Sequence, residues 1–199
     1  MTFIKTVPEQ QASGATRAMY DEARSAQGRI PNMIKAFSHR PQVMTAWAAL
    51  LASIRDEMDF RRYELVTLAA ARALRSSYCM LAHGSVLLRE FYDAETLRAI
   101  ASDDVAGLDA ADRAIMRFAD KVVRDATAVT EADVDDLREH GLSEAEIFDI
   151  AAAAAVRCFF SKTLDALGAH PDASYNALDA DLRRSLTPGR PIEERAGED

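Results

Sequence analysis

The residues best suited to chemistry lie together in the segment Ser76-Ser77-Tyr78-Cys79-Met80-Leu81-Ala82-His83. Cys79 and His83 are four apart, so on a helix they share a face and their side chains can meet. With Ser76 as N-cap, Cys79 falls in the first turn, at the positive end of the helix dipole. That field and a protonated imidazole both favour the thiolate, the form of cysteine that acts as a nucleophile. Glu64, upstream, is the third candidate. A hairpin turning near Ser76 sets Glu64 roughly 18 Å back from the turn, with His83 roughly 10 Å and Cys79 roughly 4 Å beyond it on the returning helix. Glu64 is then nearer in level to His83 than to Cys79, and a relay Glu64–His83–Cys79 is easier to build than direct contact between acid and sulfur. Each residue also has a plainer use. A cysteine in a helix is often a small buried hydrophobe, and an acid early in a helix is favoured by the dipole. Spacing alone leaves both uses open.

The elements that must position these residues are helices. The spacing predicts helices over 60–74, with Leu65, Leu68, Ala69 and Ala73 on one stripe, and over 78–91, the two forming a helical hairpin broken at Arg75-Ser76-Ser77. Ahead of them, residues 1–10 read as an extended lead-in, 11–27 and 33–38 as helices separated by Gly28-Arg29-Ile30-Pro31-Asn32, and 41–58 as a helix with Pro41 in its first turn. Behind them, 93–102 reads as a short helix. The next helix, 109–125, is amphipathic, with Ile115, Phe118, Ala119 and Val122 at i, i+3, i+4 and i+7. Thr130 begins a further helix that Gly141 ends. Ser143-Glu144-Ala145-Glu146 has the spacing of a capping box and opens a long helix to Leu167 and Gly168. Residues 1–186 are expected to form one domain, and 187–199, with Pro188, Gly189, Pro191 and many charges, a mobile tail.

Composition agrees with an all-α domain: of 199 residues 49% are hydrophobic, many of them alanine, with only eight glycines and six prolines. A net charge of −8 argues against nucleic acid as a partner, because phosphate binding needs a basic face. No apolar run approaches the roughly 20 residues that span a bilayer, so no membrane association is expected. Met1 to Pro8 lacks the charged-then-apolar pattern of a secretory leader. Two distant cysteines do not make a disulfide framework, and a reducing cytoplasm fits best.

The remaining candidates are weaker. Cys158, between an alanine run and Phe159-Phe160, reads as a core thiol. Trp47 reads as core or interface, and Met33, Phe37 and Met44 as packing residues that could also line a pocket. Tyr78 could donate a hydrogen bond to a peroxide oxygen, or be satisfied elsewhere. His39 and His140 adjoin helix ends, and His170 has no partner at motif spacing. Cys79 and His83 could give two zinc ligands, but structural zinc takes four and no second pair is near, so no metal is expected. Haem and flavin motifs are absent, and no cofactor is expected.

Glu64, Ser76, Cys79 and His83 resemble in spacing the motif of the carboxymuconolactone decarboxylase superfamily, in its AhpD-like alkylhydroperoxidase branch, where a Glu is followed by Cys-x-x-Cys-x-x-x-His at the start of a helix. Tyr78-Cys79-x-x-x-His83 and Arg62-x-Glu64-Leu65-Val66-x-Leu68 look like the peroxidase-related proteins of that branch, as do Ile30-Pro31-Asn32 and Asp165-Ala166-Leu167-Gly168. The likeness covers residues 15–175.

The resemblance implies an AhpD-like helical fold, no cofactor, and association as a dimer, trimer or hexamer. It implies that Cys79 attacks a hydroperoxide and that His83 and Glu64 relay the proton. The family's first cysteine resolves the sulfenic acid as a disulfide, and here that position is Ser76. The expected function is therefore single-cysteine hydroperoxide reduction, with an external thiol as reductant. Cys158 could instead condense with the sulfenic acid, or turnover could be lost. Two other readings follow from the same likeness: a decarboxylase or lactone-processing enzyme working by acid–base residues, and a non-catalytic redox-sensing homo-oligomer.

Overall fold

The computed structural model describes residues 2–194, which contain ten α-helices, three short 3-10 turns and no strand. The axis of the molecule is α4 (Phe60–Ala73), in which every residue from Tyr63 to Ala71 is buried. A helix buried on all sides must be enclosed by neighbours, and Leu65, Val66, Leu68 and three successive alanines allow them to approach closely. Those neighbours are α5 (Ser77–Glu90), α7 (Ala110–Asp125) and α9 (Glu144–Ala166). The chain enters through α1 (Gly14–Gln27), α2 (Asn32–Ala36) and α3 (Pro41–Arg55). Tyr20, Ala23, Ile30 and Ile34 give α1 and α2 a small core of their own, joined to the rest through Met33 and Met44. The set is completed by α6 (Ala94–Ala101), α8 (Glu131–Glu139) and α10 (Ala180–Ser185).

Local chemistry fixes the ends that matter. Asp59 caps α4 by accepting from the Arg62 N–H at 2.9 Å. At its other end, the Ser76 N–H donates to the Ala71 carbonyl and the Arg75 N–H to the Arg72 carbonyl, each at 2.9 Å, the bond pair of a Schellman motif. The left-handed position of that motif is held by Arg75 (φ 54) instead of glycine, at a cost of about 1 kcal/mol. The reversal lays α5 back against α4 as the expected hairpin. Far along the chain, Ser143 and Glu146 form the reciprocal bonds of a capping box and start α9.

Two boundaries differ from expectation by three residues. Helix α1 starts at Gly14 instead of residue 11, because Glu9–Gln11 closes a separate 3-10 turn and Ser13 is extended. Helix α3 stops at Arg55 instead of residue 58, since residues 56–58 turn tightly toward the Asp59 cap. Of the segment expected to be mobile, residues 187–194 lie along the body. The Gly189 N–H donates to Ser77 Oγ at 2.8 Å, Arg190 to the Asp165 carbonyl at 2.6 Å, and the Glu193 N–H to the Pro171 carbonyl at 2.9 Å. A Cβ at position 189 would sit 2.1 Å from the Arg75 carbonyl oxygen, so the approach requires glycine. Residues 195–199 of the expected tail lie outside the described residues. No helix among the described residues is long and apolar enough to cross a membrane.

Candidate functional site

Helix α5 begins at Ser77 with Ser76 at its N-cap, which puts Cys79 third in the helix. Ser76 is fully buried and caps through its backbone alone: its carbonyl accepts the Met80 N–H at 2.9 Å, and its side chain makes no capping bond. One turn beyond Cys79, on the same face, stands His83. Its Nδ1 lies 2.7 Å from Oε2 of Glu64, which reaches across from the buried run of α4. With Nδ1–H donating to the carboxylate, Nε2 is left as the free acceptor of the ring. Burial and the positive charge of Arg157 hold His83 below its ordinary pKa of 6.5, against the opposite pull of Glu64. Both effects favour the neutral imidazole, whose Nε2 can accept a proton.

The surroundings of the sulfur come from α9. Ser161 Oγ donates to Cys79 Sγ at 3.0 Å, and Arg157 Nη1 faces the same sulfur at 3.9 Å. Arg157 is 2% exposed. Its other contacts are weak for a buried cation: Nη2 donates to the Tyr63 hydroxyl at 3.4 Å, the Trp47 and Phe160 rings each lie 5.7 Å away, and Nε has no hydrogen-bond partner. Among the described residues no carboxylate pairs with it. Burying an ion without a direct ion pair is costly; the Glu64 charge acts on the same cluster through His83 and Tyr63, and the contacting atom that can itself become an anion is Cys79 Sγ. Tyr63 closes the cluster, its ring edge-on to His83 at 6.2 Å between centroids and its phenol pushed up by burial.

Cys79 itself is only 1% exposed. Tyr78, the supporting candidate beside it, points its hydroxyl elsewhere, donating to Asp172 and accepting from the Met33 N–H at 3.1 Å. The same Asp172 accepts from Arg29 and, at 3.0 Å, from the Asn32 N–H, which ties the Ile30-Pro31-Asn32 turn to the residues after α9. Cys158 is a half-buried thiol whose pKa burial raises. His39 bonds the Lys5 carbonyl at 2.7 Å and His140 the Asp136 carbonyl at 2.6 Å. Trp47 stacks on Phe160 at 4.0 Å. Among the described residues no three of His, Cys, Asp and Glu gather as a metal site.

Sequence reasoning missed Arg157, Ser161 and Tyr63. The signal for the first two was present. Ile150, Ala153, Ala154, Arg157, Phe160, Ser161 and Leu164 follow helical spacing and are all buried, so a charge and a hydroxyl stand on the apolar stripe of α9. Read along the chain, Arg157 merely interrupts an apolar run.

No family model matches the chain. An alkyl hydroperoxide reductase of Mycobacterium tuberculosis is 34% identical over 89 residues, which is 44% of this chain and 26% of that protein. The chain thus spans about a quarter of the curated relative it matches. Among solved structures, an AhpD-core, peroxidase-related protein of Ralstonia eutropha superposes with a TM-score of 0.79 at 22% identity, covering 94% of this chain and 98% of the other. A peroxidase-related protein of Silicibacter gives 0.75 at 24%, covering 89% and 98%. A Cys→Ala variant of a debrominase, in complex with 2,3,4-tribromopyrrole, gives 0.70 at 16%, covering 94% and 98%.

Proposed function

The protein has the all-helical AhpD-core fold, and from that premise we propose that it reduces hydroperoxides with Cys79 as a single peroxidatic cysteine. The observation that carries the reading is the arrangement round one sulfur: an imidazole one turn along, oriented by Glu64 at 2.7 Å, and a buried guanidinium at 3.9 Å with no carboxylate in direct contact.

His83 Nε2 takes the proton of the Cys79 thiol, and Arg157 and the Ser161 hydroxyl stand beside the thiolate so formed. The thiolate attacks the distal oxygen of ROOH. The S–O bond forms as the O–O bond breaks, the distal oxygen keeps its hydrogen as Cys79–SOH, and the leaving RO⁻ takes the proton back from His83 as ROH. Glu64 holds the ring in the tautomer that both transfers need. With serine at position 76, the sulfenic acid passes to an external thiol R′SH, giving a mixed disulfide and water. A second R′SH releases Cys79–SH and R′SSR′.

The test is turnover of an organic hydroperoxide with a small dithiol, alongside mass spectrometry of Cys79. The wild-type protein consumes dithiol in step with peroxide, and Cys79→Ser does not. A Cys79 that hydroperoxide leaves unmodified overturns the reading. An acid–base activity on a lactone or carboxylate that survives Cys79→Ser would replace it with the decarboxylase alternative, and oxidation of Cys79 without dithiol-driven turnover with the redox sensor.

A further inference from the structure

Cys79 is 1% exposed, so a substrate must come through one of the walls round the sulfur. On the side of α4 and α5 the sulfur is backed by the main core. Toward α3 the first groups met are Arg157, on α9, and Trp47. Arg157 faces the sulfur at 3.9 Å, and its guanidinium carbon lies 5.7 Å from the centroid of the Trp47 ring. Trp47 also lines an open cleft of about 400 Å³, shared with Val43, Ala46, Leu50, Val156 and Phe159. The cleft is almost wholly apolar, and Val43, Leu50 and Phe159 leave large apolar side chains exposed at its rim. Trp47 joins the cleft to the surroundings of the sulfur: it stacks on Phe160 at 4.0 Å, and its indole N–H donates to the Val156 carbonyl at 3.4 Å.

We propose that this cleft is the binding site for the apolar body of the substrate, with Trp47 as the movable wall and Arg157 as the group that meets the oxygen-bearing head. The proposal rests on the reading of Cys79 as the reactive thiol and adds to it a route and a specificity. The occupant is an aryl or branched alkyl group, because the lining offers rings and methyls and hardly a polar atom. Arg157 supplies the orientation: its Nε has no partner, and its Nη1 already faces the sulfur, so the head of a molecule seated against Trp47 finds donors on the way to Sγ. Hydrogen peroxide has no body to seat and gains nothing from the cleft.

The chain has a single tryptophan, so its fluorescence reports on Trp47 alone. The full-length protein is titrated with 2-phenyl-2-propanol, the alcohol formed from cumene hydroperoxide, which binds without chemistry. A saturable change is expected in the wild-type protein and in Cys79→Ser, and its loss in Leu50→Asp, a substitution at a position 52% exposed. In the same Leu50→Asp variant the rate of Cys79 oxidation by cumene hydroperoxide, divided by that with hydrogen peroxide, is expected to fall about tenfold. An unchanged ratio overturns the proposal. So does a Leu50→Asp protein that elutes at a smaller size than wild type yet titrates identically, since the face would then be covered by a second copy of the chain. If neither peroxide oxidises Cys79, the peroxidase reading fails, and the alcohol titration still decides the cleft by itself.

Discussion

Two buried charges in this molecule are treated in opposite ways. Asp112, on α7, has no exposure and is fully matched: Arg61 and Arg62 of α4 both donate to its carboxylate, and its own N–H bonds the Asp109 cap at 2.8 Å. Arg157, on α9, is almost as deep and has a phenol at 3.4 Å, two rings and a thiol in place of a carboxylate. Both helices pack on α4, so the difference does not come from location in the core. A matched charge fastens helices together. One without a direct ion pair keeps donors for an anion that forms beside it, and the sulfur at 3.9 Å is the contacting group that can become one.

Opposite substitutions separate the two roles. Asp112→Ala leaves two arginines facing an empty site and should cost about 3 kcal/mol, the lower end for breaking a buried pair, because both guanidinium groups can turn toward water. Its denaturation midpoint falls, while the rate of Cys79 oxidation in the folded protein is unchanged. Arg157→Met does the reverse. Removing an unpaired buried ion for an apolar chain of similar length should leave stability equal or higher by about 1 kcal/mol. The rate of Cys79 oxidation should drop by about tenfold to a hundredfold. An Arg157→Met protein that is destabilised and reacts normally would make Arg157 an ordinary structural residue and erase the contrast.

How much of this contrast the sequence discloses depends on range. The hairpin, the cysteine in a first turn and the histidine four residues on are all local, and helical period alone gives them. The rise per residue puts Glu64 nearer in level to His83 than to Cys79, and their contact at 2.7 Å is tighter than that reckoning alone gives. The capping box at Ser143 is likewise a four-residue pattern. What lies outside such reasoning is which side of α9 meets α5. Arg157 and Ser161 reach Cys79 from about eighty positions away, through a packing angle that the pattern of either helix leaves undetermined. The hydroxyl of Tyr78 was unreadable for the same reason, since its partner Asp172 is 94 residues on. Composition alone reads the segment after Thr187 as mobile, and composition is blind to Gly189 fitting against Arg75, where a side chain would collide.

A smaller effect tests the hydroxyl that shares the sulfur with Arg157. Ser161→Ala removes a neutral donor at 3.0 Å from a buried site, worth about 1 kcal/mol, or roughly fivefold in the rate of Cys79 oxidation. The effect should add to that of Arg157→Met only in part, since both act on one atom. Full additivity would mean that the two side chains serve different steps.

The subtlest prediction concerns the acid side. Burial and Arg157 put the folded pKa of His83 below the unfolded value of about 6.5. Between those two values the unfolded chain carries a proton that the folded one refuses. His83 therefore contributes a loss of stability that is absent above 6.5, grows as the pH falls through that window and stops growing below the folded pKa. In His83→Gln this part of the slope disappears. Glu64→Gln keeps an acceptor for Nδ1–H but removes the charge that pulls the pKa upward, so His83 becomes harder still to protonate. The window then widens, the acid loss of stability deepens, and the acid limb of the Cys79 oxidation rate moves to lower pH. A limb that stays in place would reduce Glu64 to a hydrogen-bonding prop. A limb that moves up would mean that the carboxylate, and not the imidazole, receives the proton of the thiol.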